Sequence, residues 1–138
     1  MKVRQLVYVS ASVELMSDDG LMTILEKARI RNEELGITGL LLYAGGNFIQ
    51  VVEGDPANVE QLYRRIKRDP RHRQFIVMLD HMVEERSFEG WRMGFERLSD
   101  KTLTEIAGST NLWQGEAEKK TAAHRLVASF RRTTATRY

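Results

Sequence analysis

The stretch from Gly36 to Glu53 leaves this chain few ways to fold. It reads Gly36-Ile37-Thr38-Gly39-Leu40-Leu41-Leu42-Tyr43, then Ala44-Gly45-Gly46-Asn47, then Phe48-Ile49-Gln50-Val51-Val52-Glu53. Two apolar runs of strand length joined by a Gly-Gly turn predict a β-hairpin. Helix signals border the hairpin on both sides. Upstream, Ser17 offers an N-cap, and Asp18 and Asp19 suit the positive end of the helix dipole. Leu21, Ile24, Leu25 and Ala28 then follow helical spacing up to Leu35-Gly36, where glycine can close the helix. Downstream, Asp55-Pro56 places a cap before a proline at the first helical position. Val59, Leu62, Tyr63 and Ile66 form the stripe of that helix, and Asp69-Pro70 ends it.

Three further strands complete the pattern. Leu6 to Ser10 is the first, with Val7 and Val9 opposite Leu6, Tyr8 and Ser10. Phe75 to Val83 is apolar on both faces, which predicts a central strand. Trp91, Met93 and Phe95 alternate with Arg92, Gly94 and Glu96, which predicts a half-buried last strand with Trp91 and Met93 on one inward face. The order is βαββαβ plus one strand. The expected class is α+β: a ferredoxin-like sheet with two helices on one face. From about Asp100 the tail carries two weaker helical stretches, the second with Ala123, Leu126, Val127 and Phe130 on one side. That stripe either covers the open face of the sheet or meets a partner.

Composition narrows the function. At 138 residues the chain holds one domain with a core and little else. No apolar run approaches the roughly 20 residues that span a bilayer, and the start shows no signal-peptide pattern, so a cytoplasmic protein away from membranes is expected. With no cysteine there is no thiol nucleophile and no thiolate metal site. His72, His81 and His124 show no metal-ligand spacing. There is no P-loop, dinucleotide fingerprint or nucleophile elbow. Residues 1–96 hold 13 Lys/Arg against 15 Asp/Glu, and residues 97–138 hold 8 against 4. The basic tail reads first as a solvated helix face, and nucleic-acid binding is not expected.

Three polar residues break the apolar pattern. Asn32 lies four residues after Ala28, on the stripe that should face the sheet. Gln50 shares a strand face with Phe48 and Val52, and Tyr8 shares one with Leu6 and Ser10. In this topology the first and third strands are central neighbours, so all three side chains can converge beneath the first helix. Spacing leaves two readings open: a self-satisfied core network, or a cleft for a ligand with donors and acceptors. The basic run Arg64, Arg65, Lys67, Arg68, Arg71 and Arg73 is likewise either a solvated face or a hold for phosphates.

Residues 4 to about 96 resemble a BLUF domain, the sensor of blue light using FAD. The matching stretches are Leu6-Val7-Tyr8-Val9-Ser10, Arg31-Asn32-Glu33-Glu34-Leu35-Gly36-Ile37-Thr38-Gly39-Leu40-Leu41-Leu42-Tyr43, Phe48-Ile49-Gln50-Val51-Val52-Glu53-Gly54, Asp69-Pro70-Arg71-His72 and Gly90-Trp91-Arg92-Met93. The resemblance implies FAD between the two helices, with its ring over the sheet. Asn32 would bond the C4 carbonyl and N3 edge, and Gln50 would sit between Tyr8 and the ring. Arg31, Arg65, Asp69 and His72 would lie toward the ribityl and phosphate end. Light would drive electron and proton transfer from Tyr8 to the flavin, and Gln50 would rearrange to leave a red-shifted state. Trp91 and Met93 would relay it through the last strand to the tail.

The same likeness divides the chain into a photosensory domain, residues 1–97, and a helical extension, residues 98–138, which is too short for the cyclase or phosphodiesterase that relatives carry. It implies a sensor rather than an enzyme, with output to a protein partner or a homo-oligomer. Two departures stand out: Ala28 where many relatives have a small hydroxyl residue, and Arg92 where serine is common. The alternative is a ferredoxin-like regulator that binds a small ligand without photochemistry.

Overall fold

The computed structural model describes residues 2–12, 17–44, 46–70, 72–99, 101, 102, 105 and 123–129. The elements run β1 (Val3–Ser12), α1 (Asp18–Leu35), β2 (Thr38–Ala44), β3 (Asn47–Gly54), α2 (Pro56–Lys67), β4 (His72–Val83) and β5 (Gly94–Arg97). Residues 123–129 form a further helical stretch, the tail helix. The ends of α1 and α2 obey the local rules. Ser17 Oγ accepts from the Gly20 amide at 3.1 Å, and Gly36 closes α1 in the left-handed region at φ 64°. Asp55 Oδ1 accepts from the Ala57 amide at 3.0 Å, with Pro56 opening α2.

The sheet order is β4-β1-β3-β2-β5. The first four strands pair antiparallel in the ferredoxin-like order, and β5 joins β2 in parallel at the far edge. Side-chain alternation divides the core into two layers. Leu6, Tyr8, Leu41, Phe48 and Val52 face α1 and α2 and pack with Leu21, Leu25, Val59, Leu62 and Ile66. Val7, Val9, Leu40, Leu42, Ile49 and Val51 face the other way and pack with Ala123, Leu126 and Val127 of the tail helix. The tail stripe therefore covers the open sheet face; Phe130 lies outside the described residues. Burying one such aliphatic side chain is worth about 1.5–3 kcal/mol, so each layer is a substantial part of the fold's stability. Among the described residues no helix is long and apolar enough to cross a membrane.

Two expectations are corrected. β4 is not central: it pairs with β1 alone and forms an edge among the described residues. Its apolar character on both faces reflects layers above and below, which says nothing about strand neighbours on either side. The register also shifts between Val7 and Tyr8, which face Leu79 and Val77, so Met78 is the extra residue of a bulge. Beyond the bulge Val77 and Phe75 join the layer of Tyr8, while Met78 and Leu79 share the tail-side layer.

The second correction concerns the last strand, which begins at Gly94. Trp91 and Met93 precede it and do not share a face. Trp91 belongs to the tail-side layer beside Phe88, at 5.3 Å between ring centroids, and Met93 belongs to the helix-side layer. The reason is a turn rather than a ladder. Gly90 adopts φ 84°, and the Trp91 amide bonds back to the Phe88 carbonyl. Gly94 must be glycine, because a Cβ there would stand 2.4 Å from the Trp91 ring.

Candidate functional site

The register of β1 against β3 places Tyr8 directly opposite Gln50. Both point toward the helix layer, where α1 brings Asn32 down on the stripe of Leu21, Leu25 and Ala28. All three are buried. The Tyr8 ring stacks on Phe75 with centroids 4.5 Å apart. Gln50 Nε2 donates to Met93 Sδ at 3.5 Å, and Asn32 Nδ2 donates to the Arg92 carbonyl at 2.9 Å. The Tyr8 hydroxyl and Asn32 Oδ1 are buried without a hydrogen-bond partner. An unsatisfied buried polar group costs about 1–3 kcal/mol, so these two atoms single out the helix side of the sheet as the place to look for a site.

Near them a small, partly open cleft lies between the helices and the sheet. Ile24, Lys27, Ala28 and Arg31 of α1 form one wall, Ile66 and Asp69 at the end of α2 the other, and Leu41, Phe48 and Gln50 the floor. Gln50 is a polar group in this lining; Tyr8 lies across the strand pair from it, and Asn32 follows Arg31 on α1. Charge lies at the mouth, on Lys27, Arg31 and Asp69. Burial pushes the Tyr8 phenol far above its ordinary value, against the opposing pull of the Arg31 charge. The phenol is therefore firmly protonated.

Of the residues expected from sequence, Gln50, Arg31 and Asp69 line the cleft, Tyr8 lies opposite Gln50 on the neighbouring strand, and Asn32 is buried on α1 against the Arg92 carbonyl. Arg65 is exposed on α2 and is not among the residues lining the cleft. His72 begins β4, and its side chain lies outside what is described. Arg92 points outward as expected and pairs with Glu33 at 2.7 Å. Ala28 lines the cleft and brings no hydrogen bond of its own.

Three participants were missed. Lys27 lines the cleft beside Ala28. Arg29, only 8% exposed, donates from Nε to the Met93 carbonyl at 3.1 Å. The spacing Leu25, Arg29, Asn32 already placed it near the buried stripe, but a charged residue there reads as solvated. Glu53, fully buried, accepts from the Ser87 and Phe88 amides and ties the loop before Trp91 to β3. Its strand face, shared with Ile49 and Val51, was the available signal.

A family model described as sensors of blue light using FAD, BLUF, matches residues 3–94. Among curated proteins, the chain is similar to the photoactivated adenylate cyclase subunits of Euglena gracilis. It is 33% identical to subunit beta over 114 residues, which is 81% of this chain and 13% of that protein. It is 34% identical to subunit alpha over 94 residues, 67% of this chain and 9% of that protein. The chain thus matches only a small part of the length of these relatives. Among solved structures it is similar to BlsA in its photo-activated state, with a TM-score of 0.80, 29% identity and full coverage of both chains. It is also similar to the dark state of BlrB, a BLUF protein, with a TM-score of 0.73 and 30% identity over 94% of this chain and 98% of that one.

Proposed function

The chain belongs to the BLUF family of blue-light sensors that use FAD, and from that premise we propose that the cleft between α1 and α2 takes the flavin ring and that Tyr8, Gln50 and Asn32 read its response to light. The observation that carries this is the pair of open polar atoms, Tyr8 Oη and Asn32 Oδ1, buried next to the cleft that Gln50 and Arg31 line. A flavin edge has both donors and acceptors, which is what this donor set lacks. Asn32 would hold the polar edge of the ring, with Gln50 between that edge and Tyr8. Arg31, Lys27 and Asp69 would hold the ribityl and phosphate end. Arg65 and His72 are retained as more distant contributors on the strength of the resemblance alone.

Bound FAD supplies a blue-absorbing ring that becomes a strong oxidant when excited. Tyr8 would be its electron donor, and the environment of the phenol bears on how the electron would leave. Burial holds the phenol protonated, so no phenolate is ready beforehand. Tyr8 would give the excited ring an electron and, through its cross-strand neighbour, the Gln50 amide, the Oη proton that oxidation makes strongly acidic. Both would come back to Tyr8, so that no net oxidation or reduction remains. Gln50 would be left rearranged: an amide presents a donor at one end and an acceptor at the other, so turning or tautomerising it would offer the ring a new hydrogen bond and take Nε2 off Met93 Sδ.

Met93 is therefore the first residue outside the cleft to register the change. Trp91, two residues earlier, lies in the layer that holds the tail helix, so the Trp91–Met93 segment links the two faces of the sheet. In this reading residues 1–97 are the sensor. Residues 98–138 are an extension rather than an independent domain, since Ala123, Leu126 and Val127 share the core of Val7 and Val9. The chain signals by protein contact, to a partner or a second copy, rather than by catalysis. A light-regulated bacterial adenylyl cyclase, of which this chain covers 36%, shows that a relative joins such a domain to an effector. The family match disfavours a ligand-binding regulator without photochemistry.

The test is mutational. Tyr8→Phe and Gln50→Leu should each retain FAD and lose the light-induced shift of the flavin band altogether. A normal shift in either variant overturns the scheme.

A further inference from the structure

Three successive carbonyls in the segment before β5 are each held by a donor from elsewhere in the fold. The Gly39 amide of β2 donates to the Trp91 carbonyl at 2.9 Å. Asn32 Nδ2 donates to the Arg92 carbonyl at 2.9 Å, and Arg29 Nε to the Met93 carbonyl at 3.1 Å. Only at Gly94, opposite Leu40, does the strand ladder take over. Two of the three donors come from α1, the helix that also walls the cleft.

Arg29 is the unexpected member. It is 8% exposed, and a buried guanidinium carries a large desolvation cost that a structural role in packing would not require. An aliphatic residue would fill the same place on the stripe of Leu25 and Asn32 more cheaply. What arginine adds is a permanently charged donor, planar and directional, aimed at one carbonyl. That carbonyl belongs to the residue whose sulfur receives Gln50 Nε2 at 3.5 Å. Arg29 bonds the backbone of Met93 and Gln50 touches its side chain, so Arg29 determines where the sulfur stands when Gln50 returns to it.

We infer that Arg29 is a positioning residue that sets the lifetime of the light state by holding Met93 in place for Gln50. The inference rests on the photochemical reading above and adds to it a residue that is not among those lining the cleft. The structure has Gln50 Nε2 on the sulfur, the arrangement that this reading assigns to the dark. Releasing the Met93 carbonyl weakens that arrangement and the steps that restore it, so dark recovery slows.

The experiment uses the full chain loaded with FAD and compares wild type, Arg29→Met and Arg29→Lys. Flavin absorption is followed after a blue pulse, and the Met93 methyl resonance is recorded in the dark, assigned with Met93→Leu. Arg29→Met should bind FAD, shift normally and recover about tenfold more slowly, the scale of one charge-assisted hydrogen bond. Its Met93 methyl should move. Arg29→Lys keeps a charged donor for the Met93 carbonyl and should recover within about twofold of wild type. If Arg29→Met does not fold, Arg29→Gln, with a shorter donor arm, serves the same comparison.

A lower melting temperature with unchanged recovery and an unmoved Met93 methyl would mean that Arg29 only packs, and would overturn the inference. Absence of any light shift in the wild type would instead overturn the photochemical reading. The Met93 methyl in the dark would still report whether Arg29 holds that segment.

Discussion

The two faces of the central sheet bury polar side chains from the same strands and do opposite things with them. On the tail side, Gln5 of β1 and Glu53 of β3 are closed on each other. Gln5 Nε2 donates to Glu53 Oε2 at 3.1 Å and to Ser87 Oγ at 3.2 Å, while Gln5 Oε1 lies 2.7 Å from His81 Nε2. Glu53 also accepts from the Ser87 amide at 3.0 Å, the Phe88 amide at 2.6 Å and Thr38 Oγ1 at 3.3 Å. On the helix side, Tyr8 and Asn32 each keep a buried polar atom open, and Gln50 Nε2 rests on a sulfur, a weak acceptor. Burial of a polar residue therefore does not mark a site in this fold. The mark is a hydrogen-bonding set that the protein leaves incomplete.

Removing a group from the closed set should cause the largest loss of stability. Glu53→Ala should lower unfolding free energy by about 2–4 kcal/mol, because it strands the Ser87 and Phe88 amides and frees the loop that leads to Trp91. Chemical denaturation of the FAD-loaded chain checks this; a loss below about 1 kcal/mol would mean that the tail-side network is not closed by Glu53. In the open set the corresponding change should appear in ligand binding. Asn32→Ala should weaken FAD binding about tenfold and lower unfolding free energy by only about 1 kcal/mol, since its Oδ1 has no partner within the protein to lose and Nδ2 gives up one bond, to the Arg92 carbonyl. Titration with FAD reads the affinity, and an unaltered value would remove Asn32 from the site.

The smallest effect concerns His81, at the margin of the closed set. Desolvation pushes its pKa below the ordinary 6.5, with the nearby His124 ring lowering it further and Asp80 opposing. The two rings meet edge to face with centroids 5.6 Å apart, one on β4 and the other on the tail helix. The unfolded chain thus takes up a proton at a higher pH than the folded one. Stability should be intact above about pH 6.5 and fall as pH drops from there through the folded value. Melting temperature measured from pH 7.5 to 5 should show this decline, and His81→Gln should flatten it. A decline unchanged by the substitution would assign it to other groups.

Much of this contrast was legible in the chain because it follows from local rules. Ser17, Gly36 and Asp55-Pro56 mark helix ends through hydrogen bonds made within a few residues. Alternation along β1 and β3 placed Tyr8 and Gln50 on one face, and helical spacing brought Asn32 above them. Family likeness, carried by the stretches around Tyr8, Asn32 and Gln50, supplied the flavin. What was not legible depended on chain geometry without a period. An apolar pattern on β4 reports that both faces are covered and is silent about its edges, so an edge strand read as central. Trp91 and Met93 alternate like a strand, yet the turn at Gly90 and three separately held carbonyls send them to opposite layers. Arg29 was overlooked because its partner is a backbone carbonyl 64 residues away, which no spacing rule encodes.

The central claim is that the incomplete set on the helix side is completed by FAD and answers to light. The most direct measurement is the absorption spectrum of the purified, FAD-loaded chain in darkness and just after blue illumination. The account predicts a flavin band that moves to the red and returns in the dark. A bound flavin that bleaches, or one whose band does not move, would contradict it.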